Sequence, residues 1–208
     1  DPAGLEVIFQ ALEDTSPDIQ SEAVGALYSL YNKPLNFPYL TDGSGEEYHH
    51  ETNRVLKENK EKAAQALNRI LDTYLDYLSK HPEDFNITEM ISTGTMEFPV
   101  QRDIRGTVYL AIADIESKSS IPVLLKALQF EKEEFLISLI VQALKKIGED
   151  HLVDILIDVY SEQKLGFLTG IVIHCLKDYD DEKVLLVLLD AFKVSDLSVK
   201  TSAIEGLV

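Results

Sequence analysis

Apolar residues fall at helical spacing from the first positions of the chain. Leu5, Ile8, Phe9 and Leu12 stand at i, i+3, i+4 and i+7, which is one face of a helix. Asp14-Thr-Ser-Pro-Asp18 breaks the pattern, and Ile19, Ala23, Ala26, Leu27 and Leu30 make a second helical face. Ser16 before Pro17 signals where the second helix starts, a capping hydroxyl followed by a proline at the first helical position. These positions predict two antiparallel helices joined by a short polar turn.

That unit recurs. Moved back by 180 positions without a gap, Leu185 meets Leu5, Leu188 meets Ile8, Ala191 meets Ala11 and Phe192 meets Leu12. The offset also brings Val199 onto Ile19, Ala203 onto Ala23, Ile204 onto Val24 and Leu207 onto Leu27. A step of 32 aligns Leu124, Leu156 and Leu188, then Ala127, Val159 and Ala191. In the second half of the unit the same step aligns Val108, Ile140, Val172 and Ile204. A helical hairpin cannot bury both its faces alone, so tandem copies must stack. The prediction is an all-α fold, an α-solenoid of about five hairpins forming one domain over residues 1–208. The hairpins are expected at about 4–30, 51–117, 120–148, 151–178 and 181–208.

The stretch Ala11-Leu-Glu-Asp-Thr-Ser-Pro-Asp-Ile-Gln-Ser-Glu-Ala-Val-Gly-Ala-Leu27 resembles a HEAT-like repeat of the short type found in phycobilin lyases. Asp103-Ile104-Arg105 and Ser198-Val199-Lys200 match that family's aliphatic-plus-basic step, and Gln20 stands where the family favours Arg. The resemblance covers residues 4–30 and about 100–208 and implies a right-handed solenoid of HEAT-like hairpins, with little implied about activity.

The second repeat carries an insertion. Residues 32–50, with Pro34, Pro38, Gly43 and Gly45, read as one loop, and residues 81–99 as another. Between them Leu56, Ala63, Leu67, Ile70, Tyr74 and Leu78 predict a long helix from about Glu51 to Ser79, about 44 Å at 1.5 Å per residue.

Composition narrows the chemistry. With 36 Asp and Glu against 19 Lys and Arg the net charge is −17, so phosphate backbones and anionic membranes are repelled and nucleic acid is excluded as a partner. The single Cys175 allows no internal disulfide and points to a reducing, cytoplasmic setting. No apolar run approaches the roughly 18 residues of a membrane span, so no membrane association is expected. The chain opens on Asp1-Pro2 without a Met and closes inside a helical pattern at Val208, so both ends read as cut points.

Catalytic and metal constellations are not legible. Some HEAT-like proteins are di-iron hydroxylases that hold metal with repeated His-Glu pairs, and this chain has only His50-Glu51. Asp42-Gly-Ser-Gly-Glu-Glu47 lacks the ligand spacing of a calcium loop. His174 and Cys175 are neighbours on one helix and point apart, so Cys175 reads as structural. No catalytic residue, metal or cofactor is expected.

An interaction role is left. Second helices line the concave side of such solenoids, which singles out Glu22, Asp103, Glu133, Glu134 and Glu205 as an acidic face for a protein or basic peptide. Tyr28, Tyr31, Phe37, Tyr39 and Tyr48 crowd the stretch beside the insertion and add aromatic contacts. The expected function is a non-catalytic scaffold or adaptor, with an accessory subunit of a chromophore lyase and a neutralising protein for a basic toxin as alternatives. Partner identity and oligomeric state stay open.

Overall fold

The computed structural model describes residues 2–32, 54–80, 101–131, 133–162 and 167–208. The described residues form helices and connecting turns, with no strand among them, so the fold is all-α. The helices are α1 (Pro2–Leu12), α2 (Pro17–Asn32), α3 (Lys60–Lys80), α4 (Gln101–Ile115), α5 (Ile121–Phe130), α6 (Glu134–Ile147), α7 (Leu152–Glu162), α8 (Phe167–Leu176), α9 (Glu182–Ala191) and α10 (Leu197–Leu207). A 3-10 turn, Lys118–Ser120, precedes α5. The expected loops 32–50 and 81–99 lie outside the described residues apart from Asn32, which ends α2.

Two compact units are present, Asp1–Phe130 and Glu131–Val208. In the first, α1 pairs with α2 and α3 with α4; α1 also packs on α3, α3 on α5, and α2 on α4. Its core is made by Val24 and Leu27 of α2, Leu67, Leu71 and Leu75 of α3, and Tyr109 and Ile112 of α4, all essentially without exposure. In the second unit α7 pairs with α8 and α9 with α10; α7 adjoins α9, and α8 lies against both α6 and α10. The sequence of α8, FLTGIVIHCL, is apolar nearly all round, as a helix with neighbours on several sides requires. Ile140, Leu144, Leu156, Val172, Ile173 and Leu176 fill this second core.

Aspartates shape the turns. Asp14 Oδ1 accepts from Ser16 N–H at 2.8 Å just before α2. Asp181 caps α9 through Lys183 N–H at 2.7 Å, and Asp196 caps α10 through Ser198 and Val199 N–H at 2.8 and 3.0 Å. Carboxylates at these ends satisfy orphan N–H groups and meet the positive end of the helix dipole. Part of the acidic surplus is therefore helix-start chemistry. At the other end of α6, Gly148 adopts the left-handed conformation (φ 79°) and its N–H reaches Leu144 and Lys145 carbonyls.

Two expectations need correction. The long helix over 51–79 is divided into a short helix at 54–58 and α3, with a turn residue, Asn59, between them. The Asn59 side-chain amide donates to Val55 O at 2.9 Å, beside the backbone bond from Asn59 N–H to the same carbonyl at 3.1 Å. A side chain competing for a helical carbonyl loosens the turn that contains it. Residues 51–53 lie outside the described residues. The second correction concerns register. Val199 and Ala203 are the buried positions of α10, matching Leu168 and Val172 of α8, so the second helix advances by 31 residues here and not by 32.

Close approach in α10 gives a test of this packing. A Cβ on Gly206 would stand 2.7 Å from Lys177 Cβ, 3.0 Å from Lys177 Cα and 2.8 Å from Leu188 Cδ1. A Cβ on Gly25, in α2, would meet nothing within 4 Å. Gly25→Ala should therefore stabilise by up to about 1 kcal/mol through helix propensity. Gly206→Ala gains the same propensity but forces an overlap costing about 1–3 kcal/mol, so its net effect is destabilising. Urea denaturation of the two variants should move in opposite directions.

Candidate functional site

In the first unit a cleft of about 350 Å³ opens between α1, α2, α3 and α4. Leu12, Ala66, Ile70 and Ile104 give it apolar walls, and Gln20, Thr73 and Tyr74 give it polar edges. Glu13 and Arg69 both line it and pair across it, Oε1 to Nη2 at 2.8 Å. Gln20 holds the position that the repeat resemblance gives to a basic residue, and its Nε2 donates to Asp14 O at 2.8 Å and to Leu12 O at 3.4 Å. The amide thus ties α2 back to the turn before it.

In the second unit a shallow cleft of about 420 Å³ runs over α6, α8 and α10. Gln142 and His174, one 32-residue step apart, line it with Gly170, Ser198 and Ser202. Cys175 also borders the cleft, and its side chain is buried and free of any disulfide. Burial pushes the thiol above its ordinary range, against the opposing charge of Lys145. A thiol held protonated is a poor nucleophile, which fits a structural residue.

Ion pairs join neighbouring helices. Lys62 of α3 reaches Glu6 of α1 at 2.7 Å, and Arg69 reaches Glu13 just past the end of α1 at 2.8 Å. Lys126 of α5 reaches both Asp72 and Asp76 of α3 at 2.7 Å. In the second unit Lys183 meets Asp154 at 2.6 Å, Lys145 meets Asp178 at 2.7 Å, and Lys177 meets Glu205 at 2.5 Å. The hydrogen bond and positive charge of the partner lysine hold Asp76, Asp154, Asp178 and Glu205 below the usual carboxylate range. Lys126 and Lys183 are correspondingly raised by their bonds to Asp72, Asp76 and Asp154. With 36 acids against 19 bases, a net charge of −17 is left even with every base paired.

The sequence-predicted residues fall at several places. Glu22 is exposed on α2. Tyr28 is half-buried, and its hydroxyl accepts from the Asn32 side-chain amide. Tyr31 is half-buried and donates its hydroxyl to Leu56 O at 2.8 Å, and burial raises its pKa to about 12. That bond ties the end of α2 to the 54–58 helix. Asp103 lies in the first turn of α4, next to α2, and its side chain is outside the described set. Glu133 is the residue before α6 and Glu134 is in its first turn, both half-buried. Glu205 is the exposed partner of Lys177 on α10. Phe37, Tyr39, Tyr48, His49, His50 and the acidic stretch 42–47 lie outside the described residues.

Sequence reasoning missed the two clefts. For the second cleft the available signal was the polar pair Gln142 and His174 and the small pair Ser138 and Gly170, each 32 residues apart. Among the described residues no group of three or more His, Cys, Asp or Glu side chains could hold a metal ion, and no helix is long and apolar enough to cross a membrane. Compared with models of known protein families the chain matches none, and it matches no curated protein either.

Proposed function

We propose that the chain is a HEAT-like helical solenoid acting as a non-catalytic scaffold that binds a protein or basic peptide. The order of packing supports the solenoid reading. First helices adjoin first helices, α1 with α3 and α7 with α9, and second helices adjoin second helices, α2 with α4, α6 with α8 and α8 with α10. Stacked hairpins generate that order, and a bundle built around one centre does not.

The observation that carries the binding reading is the use of positive charge. Lys62, Arg69, Lys126, Lys145, Lys177 and Lys183 all engage acids on a neighbouring helix or at its end, so the uncompensated charge at the surface is negative. A surface of one sign attracts ligands of the other and raises their association rate. A lysine- and arginine-rich peptide titrated into the full chain should bind, and the affinity should fall as salt rises. Charge reversal at Glu22 or Glu134 should weaken it further. Affinity that ignores salt, or no binding at low salt, overturns the proposal.

A further inference from the structure

The cleft of the first unit is aliphatic inside and charged at its mouth. Leu12, Ala66 and Ile104 are 3–4% exposed and form its floor, and Ile70 beside them is half-buried. Glu13 and Arg69 carry the charge; both side chains are 66% exposed, and the pair they make lies across the opening. Other polar groups of the wall are already engaged. Gln20 Nε2 donates to the Asp14 and Leu12 carbonyls, and Thr73 Oγ1 donates to Arg69 O at 2.8 Å. The Tyr74 ring is buried and lies against the Arg105 guanidinium, so it offers no open platform to a planar ligand. A polyhydroxylated or aromatic ligand would thus find few partners here. Aliphatic surface, a carboxylate and a guanidinium are what the lining has to offer.

We propose that this cleft binds a free α-amino acid with an aliphatic side chain, of which leucine is the type. The side chain lies against Leu12, Ile70 and Ile104, the ammonium meets Glu13 and the carboxylate meets Arg69. An ion pair this exposed gains little from its own contact, because water competes for both charges. Parting Glu13 from Arg69 is therefore cheap, and each charge exchanges one opposite partner for another. A guanidinium fork takes a carboxylate through two parallel bonds, which fixes orientation as well as adding energy. Glu13 stands just past the end of α1 and Arg69 within α3, both on long side chains, so the gap widens without moving a helix. A ligand with one charge would leave either Glu13 or Arg69 without its partner, and a zwitterion leaves neither. The volume of about 350 Å³ is at the lower end for small-ligand sites, as a ligand of this size requires. The inference uses this cleft and not the surface charge behind the scaffold reading, so either can fail without the other.

Isothermal titration of L-leucine into the full chain tests it, with a dissociation constant on the order of a millimolar or below expected for so small a ligand. Glycine lacks the apolar part, leucinamide the carboxylate and N-acetyl-leucine the ammonium. Each should bind at least about tenfold more weakly than leucine. Arg69→Gln should bind leucine and leucinamide alike, and Glu13→Gln should bind leucine and N-acetyl-leucine alike. Both residues are exposed, and circular dichroism checks that each variant keeps its helices. In NMR spectra of the isotope-labelled chain, leucine should shift the amide signals of Leu12, Ile70 and Ile104 and leave those of α8 and α10 in place. No binding of leucine at about 10 mM overturns the proposal. So does N-acetyl-leucine binding as well as leucine, which would mean the C-terminal end of a peptide in place of a free amino acid. Preferences left unchanged in both variants would place the ligand elsewhere and overturn it too.

Discussion

Ile173→Ala should destabilise the second unit by about 2–5 kcal/mol, while Ile204→Ala should cost less than about 1 kcal/mol. The two isoleucines occupy the same place in successive second helices once the step of 31 is applied. Ile173 has no exposure, enclosed where α8 lies against its neighbours, and Ile204 is 47% exposed on α10. Removing three carbons from Ile173 leaves a cavity among side chains that cannot close around it. The same removal at Ile204 takes away surface that water already half covers, so only a fraction of the transfer free energy is lost. Urea denaturation followed by circular dichroism would read both. Equal costs would mean that the register between α8 and α10 is wrong and that position in the tandem does not decide burial.

The helix pairs were legible because their apolar positions follow the 3.6-residue period closely. Leu5, Phe9 and Leu12 are buried together in α1, and the break at Asp14–Asp18 falls where one helix gives way to the next. The 180-residue offset predicted which positions are equivalent, but not which side of each would be covered, since that depends on which hairpin lies next to it. The step of 31 at α10 was hidden for a related reason. Apolar residues three and four apart share a helix face, so a slip of one residue still puts Ile204 against an apolar residue in either register. The division at Asn59 escaped because its cause is a single side-chain amide in a stretch with unbroken apolar period. The clefts and ion pairs were beyond reach in another way. The first unit joins residues about one repeat plus an insertion apart, as in Lys62 with Glu6, and the second joins residues about one repeat apart, as in Lys183 with Asp154. No local pattern carries those separations.

Arg105→Ala should destabilise the first unit by about 2–4 kcal/mol, and Arg105→Met should recover more than half of that loss. Arginine is ordinarily placed at the surface, but Arg105 is 2% exposed. Its guanidinium carbon lies 5.0 Å from the centroid of the Tyr74 ring, so α4 meets α3 through a cation stacked on an aromatic face. Alanine removes both that contact and most of the volume, at the junction that also holds Tyr109 and Ile112. Methionine is flexible and of similar reach, fills irregular space and packs on aromatic rings. It also removes the desolvation of a buried cation, which offsets part of the lost stacking. Arg105→Lys should rank nearer to alanine than to methionine, because a compact, strongly hydrated ammonium neither stacks as a plane nor tolerates burial as guanidinium does. Thermal and urea denaturation of the three variants gives the order directly. If methionine proved as damaging as alanine and lysine the mildest, positive charge would be holding α3 and α4 together at this point, and the packing account of Arg105 would be wrong.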